Sequence, residues 1–251
     1  MSSPAPAAFE VDFRLPSDFR EILTGASAEE AAAAVAARLG PDALATVPAA
    51  RLDAAVAEYL AASELLEQEG VFYAAGCLGL LDGELTLSSL TLARIEADCA
   101  DPGTAVEGVV RIRRRGQGSD RRTADRYDLP AGPAAVVIES STGLLLPAAD
   151  LGAPADLPLP VATLQAYLPV PRAVDPAGRT MLVVTFSTPS VRHWDAYCPV
   201  LADLLRSLRF PAVEAEAAAA VTPPAPTAPG PTVPAPAVPA PARSAIRSAL
   251  G

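Results

Sequence analysis

Phe9, Val11, Phe13 and Leu15 alternate with Glu10, Asp12 and Arg14. That period of two predicts a half-buried edge strand. Ser27 is followed three residues later by Glu30. This is a capping box, and it predicts an Ala-rich helix that stops at Gly40-Pro41. A second helix is predicted from about Ala49 to Glu69, with Leu52, Val56, Tyr59, Leu60 and Leu66 inward and Gly70 as its stop. Val71 to Leu81, the turn Asp82-Gly83 and Glu84 to Ile95 then read as a β-hairpin. Gly76 and Gly79 in its first arm predict a bulge or a close backbone approach.

Beyond Asp101-Pro102-Gly103, Thr104 to Val110 predicts a short helix leading into an Arg-rich strand or loop. Tyr127 to Gly132 turns the chain, Ala134 to Ser140 reads as a buried strand, and Leu144 to Pro160 as a surface excursion. Val161 to Val170 is a strand, and Asp175 to Gly178 a turn. Met181 to Phe186 is an unbroken apolar run, as a strand buried on both faces requires. Thr188 is placed to cap a helix with Pro189 at its first position. Val191, Trp194, Cys198, Leu201, Leu205 and Leu208 make one apolar stripe, which puts Trp194 in the core. Pro199 within the stripe predicts a kink or a late start. Hairpin-linked strands with grouped helices predict an α+β fold, mainly an antiparallel sheet flanked by helices. Glycine-loop crossover units are missing, which disfavours a doubly wound parallel sheet.

Composition changes this picture at the two ends. Residues 1–8 are polar and Pro-containing and are expected to be disordered. Residues 9–210 read as a single α+β domain with a helical insertion at 27–69. Residues 211–251 read as a disordered Pro/Ala-rich tail, because Pro223 to Ala242 is almost wholly Pro, Ala, Thr and Val and cannot build a core. All 19 basic residues are Arg, and the net charge is −10. An acidic chain argues against nucleic-acid or anionic-membrane partners. No run of about 20 apolar residues exists to span a bilayer, and no signal segment opens the chain. Three widely spaced cysteines, Cys77, Cys99 and Cys198, fit a reduced cytoplasm. A cytoplasmic location is therefore expected.

One order of elements carries a resemblance. The Leu129-Pro-Ala-Gly-Pro133 turn is followed by a strand, by Gln165-Ala-Tyr-Leu-Pro-Val-Pro171, by Val184-Thr-Phe-Ser-Thr-Pro189, and by a helix ending Ser207-Leu-Arg-Phe210. Over about 127–210 this resembles the PsbP-like superfamily, the fold shared with Mog-type Ran-release factors. The resemblance implies an antiparallel sheet sandwiched by helices and a binding or assembly role. Residues 27–69 and the Pro-rich tail depart from the simplest version, and fold alone supplies no partner.

Candidate chemistry is sparse. His193, the single histidine, has no nucleophile at catalytic spacing and reads as a helix-start residue. One His and three scattered Cys do not make a zinc set, and no nucleophile elbow, phosphate loop or dinucleotide fingerprint occurs. No catalytic residue, cofactor or metal is expected. Arg111, Arg113, Arg114, Arg115, Arg121, Arg122 and Arg126 concentrate seven arginines in sixteen residues of an acidic protein. They form a candidate partner-binding surface, or else a solvated hairpin paired with the protein's own carboxylates. In the tail, Ile246 and Leu250 lie four apart beside Arg243 and Arg247. They are candidate anchors of a docking helix, set against a frayed terminus. The expected function is a non-catalytic interaction or assembly factor with the tail as tether or docking peptide. The alternative is a small-molecule-binding or enzyme-like domain with a pocket between sheet and helices. A filled core with an exposed apolar patch would favour the first, and a deep pocket gathering His193, Tyr167 or the arginines the second.

Overall fold

The computed structural model describes residues 9–115, 122–148, 155–211 and 213. Seven strands form one antiparallel sheet: β1 (Arg20–Ile22), β2 (Val71–Leu81), β3 (Glu84–Glu96), β4 (Arg122–Leu129), β5 (Gly132–Leu146), β6 (Leu157–Pro169) and β7 (Thr180–Thr188). Their spatial order is β1-β2-β3-β7-β6-β5-β4. The last strand in sequence therefore sits at the centre. Met181, Leu182, Val183, Val184 and Phe186 of β7 are all buried, as the unbroken apolar run requires. Among the described residues, four helices of two turns or more accompany the sheet: α1 (Ala28–Thr46), α2 (Ala49–Gln68), α3 (Pro102–Arg115) and α4 (Trp194–Ser207). The α+β class and the antiparallel sheet agree with the sequence reading.

Each face of the sheet has its own core. On one face, Leu90, Leu92, Leu164, Leu182, Val184 and Phe186 pack against Tyr197, Cys198, Leu201, Leu204 and Leu205 of α4. On the other, Ala135, Val137, Tyr167, Met181 and Val183 pack against Val106 and Val110 of α3. The α1–α2 pair lies on that second face at the opposite edge. There Ala31, Val35 and Tyr59 form a small cluster with Ile22, whose register partner is Ala74. The Ser27–Glu30 capping box is present, with the Glu30 amide on Ser27 Oγ at 3.3 Å and Ser27 N on Glu30 Oε2 at 2.9 Å.

Several expectations are corrected. Residues 9–15 alternate in burial as predicted, but they do not form a ladder strand. Their single bridge is Asp12 to Arg209, and Phe9, Val11, Phe13 and Leu15 lie over the α4-side core. The edge strand is Arg20–Ile22 instead. The first helix does break at Gly40, as expected, where φ is 74°; what the sequence reading lacked is the second helical stretch that begins at Pro41 and runs to Thr46. The β2–β3 bulge falls between Val71 and Tyr73, not at Gly76 or Gly79. Arg111 to Arg115 belong to the last turns of α3, not to a strand or loop, because Val106 and Val110 carry the apolar spacing into them. The expected excursion at 144–160 is narrower, since β5 extends to Leu146 and β6 starts at Leu157. Thr188 does accept the Ser190 amide at 3.0 Å, yet a 3₁₀ turn at Val191–His193 intervenes before α4. Trp194 is half-buried at the helix start, its ring 6.2 Å from the fully buried Phe186, and Tyr197 is the buried aromatic of the helix itself.

Candidate functional site

The β2–β3 hairpin carries the clearest departure from ordinary burial. Leu78 pairs with Leu87 and Leu80 with Leu85. Directly opposed residues share a face, and so do residues two apart on one strand. All four leucines therefore project from one side of the hairpin, where they are 67%, 52%, 70% and 70% exposed in that order. The other side buries Thr86 and Ser88. The usual alternation is inverted here, with hydroxyls inward and leucines outward.

The end of β7 and the residues after it hold the hairpin backbone from the hydroxyl side. Thr188 Oγ1 donates to the Leu87 carbonyl at 2.6 Å, and the Leu87 amide donates to Ser190 Oγ at 3.3 Å. Thr86 Oγ1 donates across the hairpin to the Gly79 carbonyl at 3.3 Å. Glu84 at the base of the turn holds Arg192 at 2.8 Å and His193 at 3.1 Å. His193 thus serves as a strut between the helix start and the hairpin. The hairpin is fixed to its support on one side and bare on the other.

Beside the leucines, a groove of about 930 Å³ runs between the hairpin and α1. Ile22, Ala34 and Ala37 join Leu78, Leu80 and Leu87 in lining it, with Asp18, Arg20, Glu21 and Arg38 at its rim. Arg38 is already engaged, donating to the Glu21 carbonyl at 2.6 Å and lying 4.9 Å over the Tyr59 ring.

The arginine stretch divides. Arg113 bonds the Tyr167 hydroxyl, which donates to Gln165 Oε1 at 2.8 Å. Burial pushes the Tyr167 phenol up, against the opposing pull of Arg113. Arg114 reaches Asp125 Oδ1 and the Ala124 carbonyl, and Arg122 pairs with Glu139 at 2.5 Å. Arg126 approaches Asp128 at 3.2 Å. Arg111 and Arg115 are exposed on α3. Intramolecular pairing thus engages Arg113, Arg114 and Arg122 and leaves Arg111 and Arg115 as the solvent-facing part. Arg121 and the tail candidates Arg243, Ile246, Arg247 and Leu250 lie outside the described residues.

The thiols are poorly disposed for nucleophilic work. Burial pushes Cys198 up to about 11 and raises Cys77 and Cys99 as well. Among the described residues, no group of three His, Cys, Asp or Glu side chains could hold a metal ion, and no helix is long and apolar enough to cross a membrane. Sequence reasoning missed the leucine face. Its signal was the alternation itself, which says that one side of a strand is apolar but not which side the fold covers. Compared with models of known protein families and with curated protein sequences, the chain matches none.

Proposed function

We propose that this protein is a non-catalytic interaction module whose docking surface is the leucine face of β2–β3. The observation that carries this reading is the inverted hairpin: four leucines on one face, each more than half exposed, on a support held by hydrogen bonds from behind. Together they present on the order of 450 Å² of apolar surface, comparable to the largest patch on an ordinary monomer, where such patches are often functional. The partner segment that fits presents two or three aliphatic side chains. Glu21, opposite Ala75, and Glu84, held by Arg192 and His193, sit on the supporting side of the sheet, while Arg20, opposite Gly76, shares the leucine side. Arg113 meets Tyr167 beneath α3 while His193 is held by Glu84 on the opposite side of the sheet, which supports this reading over a small-molecule site gathering them.

Affinity capture from the native host tests it with three full-length proteins: wild type, Leu80→Glu/Leu85→Glu, and Arg111→Glu/Arg115→Glu. The expected result is loss of the captured partner in the leucine variant alone. Equal recovery by wild type and leucine variant overturns the reading, and selective loss in the arginine variant moves the surface to α3.

A further inference from the structure

We infer that the partner docks by adding a β-strand to the free edge of β2 at residues 77–81, as an extended segment with aliphatic side chains two apart and an acidic side chain beside Arg20. The inference rests on the hairpin being the docking surface and adds how it is engaged. Its basis is where the backbone groups of the hairpin point. In an antiparallel pair, residues that exchange bonds with the partner strand alternate with residues whose N–H and C=O point away from it. Leu87 is of the second kind, because its amide donates to Ser190 Oγ and its carbonyl accepts from Thr188 Oγ1, both on the β7 side. Leu78, its register partner, therefore turns its own N–H and C=O out of the opposite edge. Leu80 does the same by alternation. Gly79 between them faces β3, where its carbonyl accepts from Thr86 Oγ1 at 3.3 Å.

That edge is bare. β1 pairs with β2 only at Ala74, Ala75 and Gly76, and among the described residues no group bonds the Leu78 or Leu80 backbone from outside the hairpin. The opposite edge of the sheet, β4, carries Arg122, Asp125, Arg126 and Asp128, the kind of charges that guard an edge. Residues 77–81 read Cys-Leu-Gly-Leu-Leu and carry none. The groove of about 930 Å³ follows the bare stretch, with Leu78, Gly79 and Leu80 along one wall and the small Ala34 and Ala37 of α1 along the other.

These groups define the occupant. Outward amides and carbonyls on alternate residues are met by another extended backbone. Alternate side chains of the added strand then fall on the leucine side, between Leu78 and Leu80 and the alanines of α1, where branched aliphatics two apart fit. Charge on that side is positive. Arg20, opposite Gly76, is exposed and has no ion pair among the described residues. Arg38 bonds the Glu21 carbonyl and lies over the Tyr59 ring, and neither cancels its charge. The Glu21 side chain, opposite Ala75, belongs to the other side of the sheet. An acidic side chain at the end of the strand nearest Arg20 completes the match. A second copy fits less well. Pairing two β2 edges would double the bare leucine face, and stacking two such faces would bury about 900 Å², short of the roughly 1,200–2,000 Å² of a stable interface.

Backbone NMR of the full chain tests it with a capped synthetic peptide, Val-Thr-Val-Thr-Glu. Its valines and glutamate share one face, and its glutamate end abuts Arg20 when the strand runs antiparallel to β2. With excess peptide, the Leu78 and Leu80 amides should exchange with solvent at least about tenfold more slowly, while those of Cys77 and Gly79, already turned to β3, stay unchanged. Methyl groups on the two valine amides, which point at β2 in this register, should weaken the peptide about tenfold, and methyl groups on the two threonine amides should not. Glutamine in place of the glutamate should weaken it about threefold. In the capture experiment, Leu80→Pro removes an outward amide that an edge strand can spare. It should lose the partner that Leu80→Ala retains in part, with its Trp194 urea transition in place. Unchanged exchange at Leu78 and Leu80, or equal Kd for the two methylated peptides, overturns the proposal. Slowed exchange on concentrating the protein alone overturns it in favour of a second copy. Capture lost in Leu80→Glu/Leu85→Glu but kept in Leu80→Pro rejects the edge pairing alone, and capture kept in both rejects the docking surface itself.

Discussion

Strand β3 offers an internal control for the inverted hairpin, because its two faces can be truncated separately. Leu85 is 70% exposed and Leu90, five residues on, is fully buried. Full burial of a leucine stabilises by about 2–3 kcal/mol, so the part of Leu85 that is buried contributes roughly 0.7 kcal/mol. Leu90 packs between Phe186 and the α4 helix side of the core, where Leu→Ala costs about 2–5 kcal/mol from lost transfer and a residual cavity. At about 2–4 °C per kcal/mol for a chain of this size, Leu90→Ala should lower Tm by roughly 4–20 °C and Leu85→Ala by under about 3 °C. Urea titration followed by the single tryptophan, Trp194, reads the transition, since that ring leans on Phe186 in the same core. Equal m-values with a displaced midpoint for Leu90→Ala alone would confirm the two faces. A Leu85→Ala loss as large as that of Leu90→Ala would mean that the hairpin face is buried within the fold, and the docking argument would fall.

Three further outcomes are expected. Gly70 has φ of 73°, and a Cβ there would sit 2.8 Å from the Arg94 carbonyl, whereas Gly83 at φ 78° meets nothing within 4 Å. Gly70→Ala should therefore destabilise more than Gly83→Ala in urea titration, which carries only the left-handed backbone cost of about 1–2 kcal/mol; equal losses would refute the clash. The Arg94 guanidinium lies 4.2 Å from the Phe72 ring and 4.9 Å from Phe9, and it donates to the Phe9 carbonyl at 3.0 Å. Arg94→Ala should cost about 2–3 kcal/mol and Arg94→Met markedly less, because methionine restores the packing but not the cation; equal losses would deny the packing any part. Burial pushes the Asp175 carboxyl up, but bonds from the Arg179 amide, Thr180 and the Ala177 amide outweigh it and hold the group below its usual range. Its contribution is thus present above the unfolded pKa of about 3.9 and lost as pH falls through the lower folded value. The stability gap between wild type and Asp175→Asn should close below about pH 4, and a gap that persists unchanged would contradict the assignment.

The sequence was most legible where local chemistry and burial agree. Ser27 and Glu30 specify a helix start without outside help, and Asp82-Gly83 sets the hairpin register, with Asp82 itself at φ 53°. The β7 run announced a central strand because only two covered faces justify five such side chains. The failures share one cause, which is long-range partnering. Residues 9–15 have strand periodicity but meet helix α4 rather than a neighbouring strand, so Arg14 N bonds Ser207 Oγ at 2.8 Å. For Arg113 and Arg114 the sequence left a partner-binding surface and internal pairing both open, and β4 and β6 decide it by supplying Asp125 and Tyr167. For Leu78, Leu80, Leu85 and Leu87, nothing in a strand's own pattern records that the end of β7 and the residues after it support the other side.

Site-specific photo-crosslinking addresses the central claim most directly. A benzophenone side chain replaces Leu80 on the hairpin face in one full-length protein and Ile112 on α3 in another, both positions being 70% exposed. Irradiation in the native host should give partner adducts from position 80 and none above background from position 112. Adducts confined to position 112, with position 80 silent, would contradict the account.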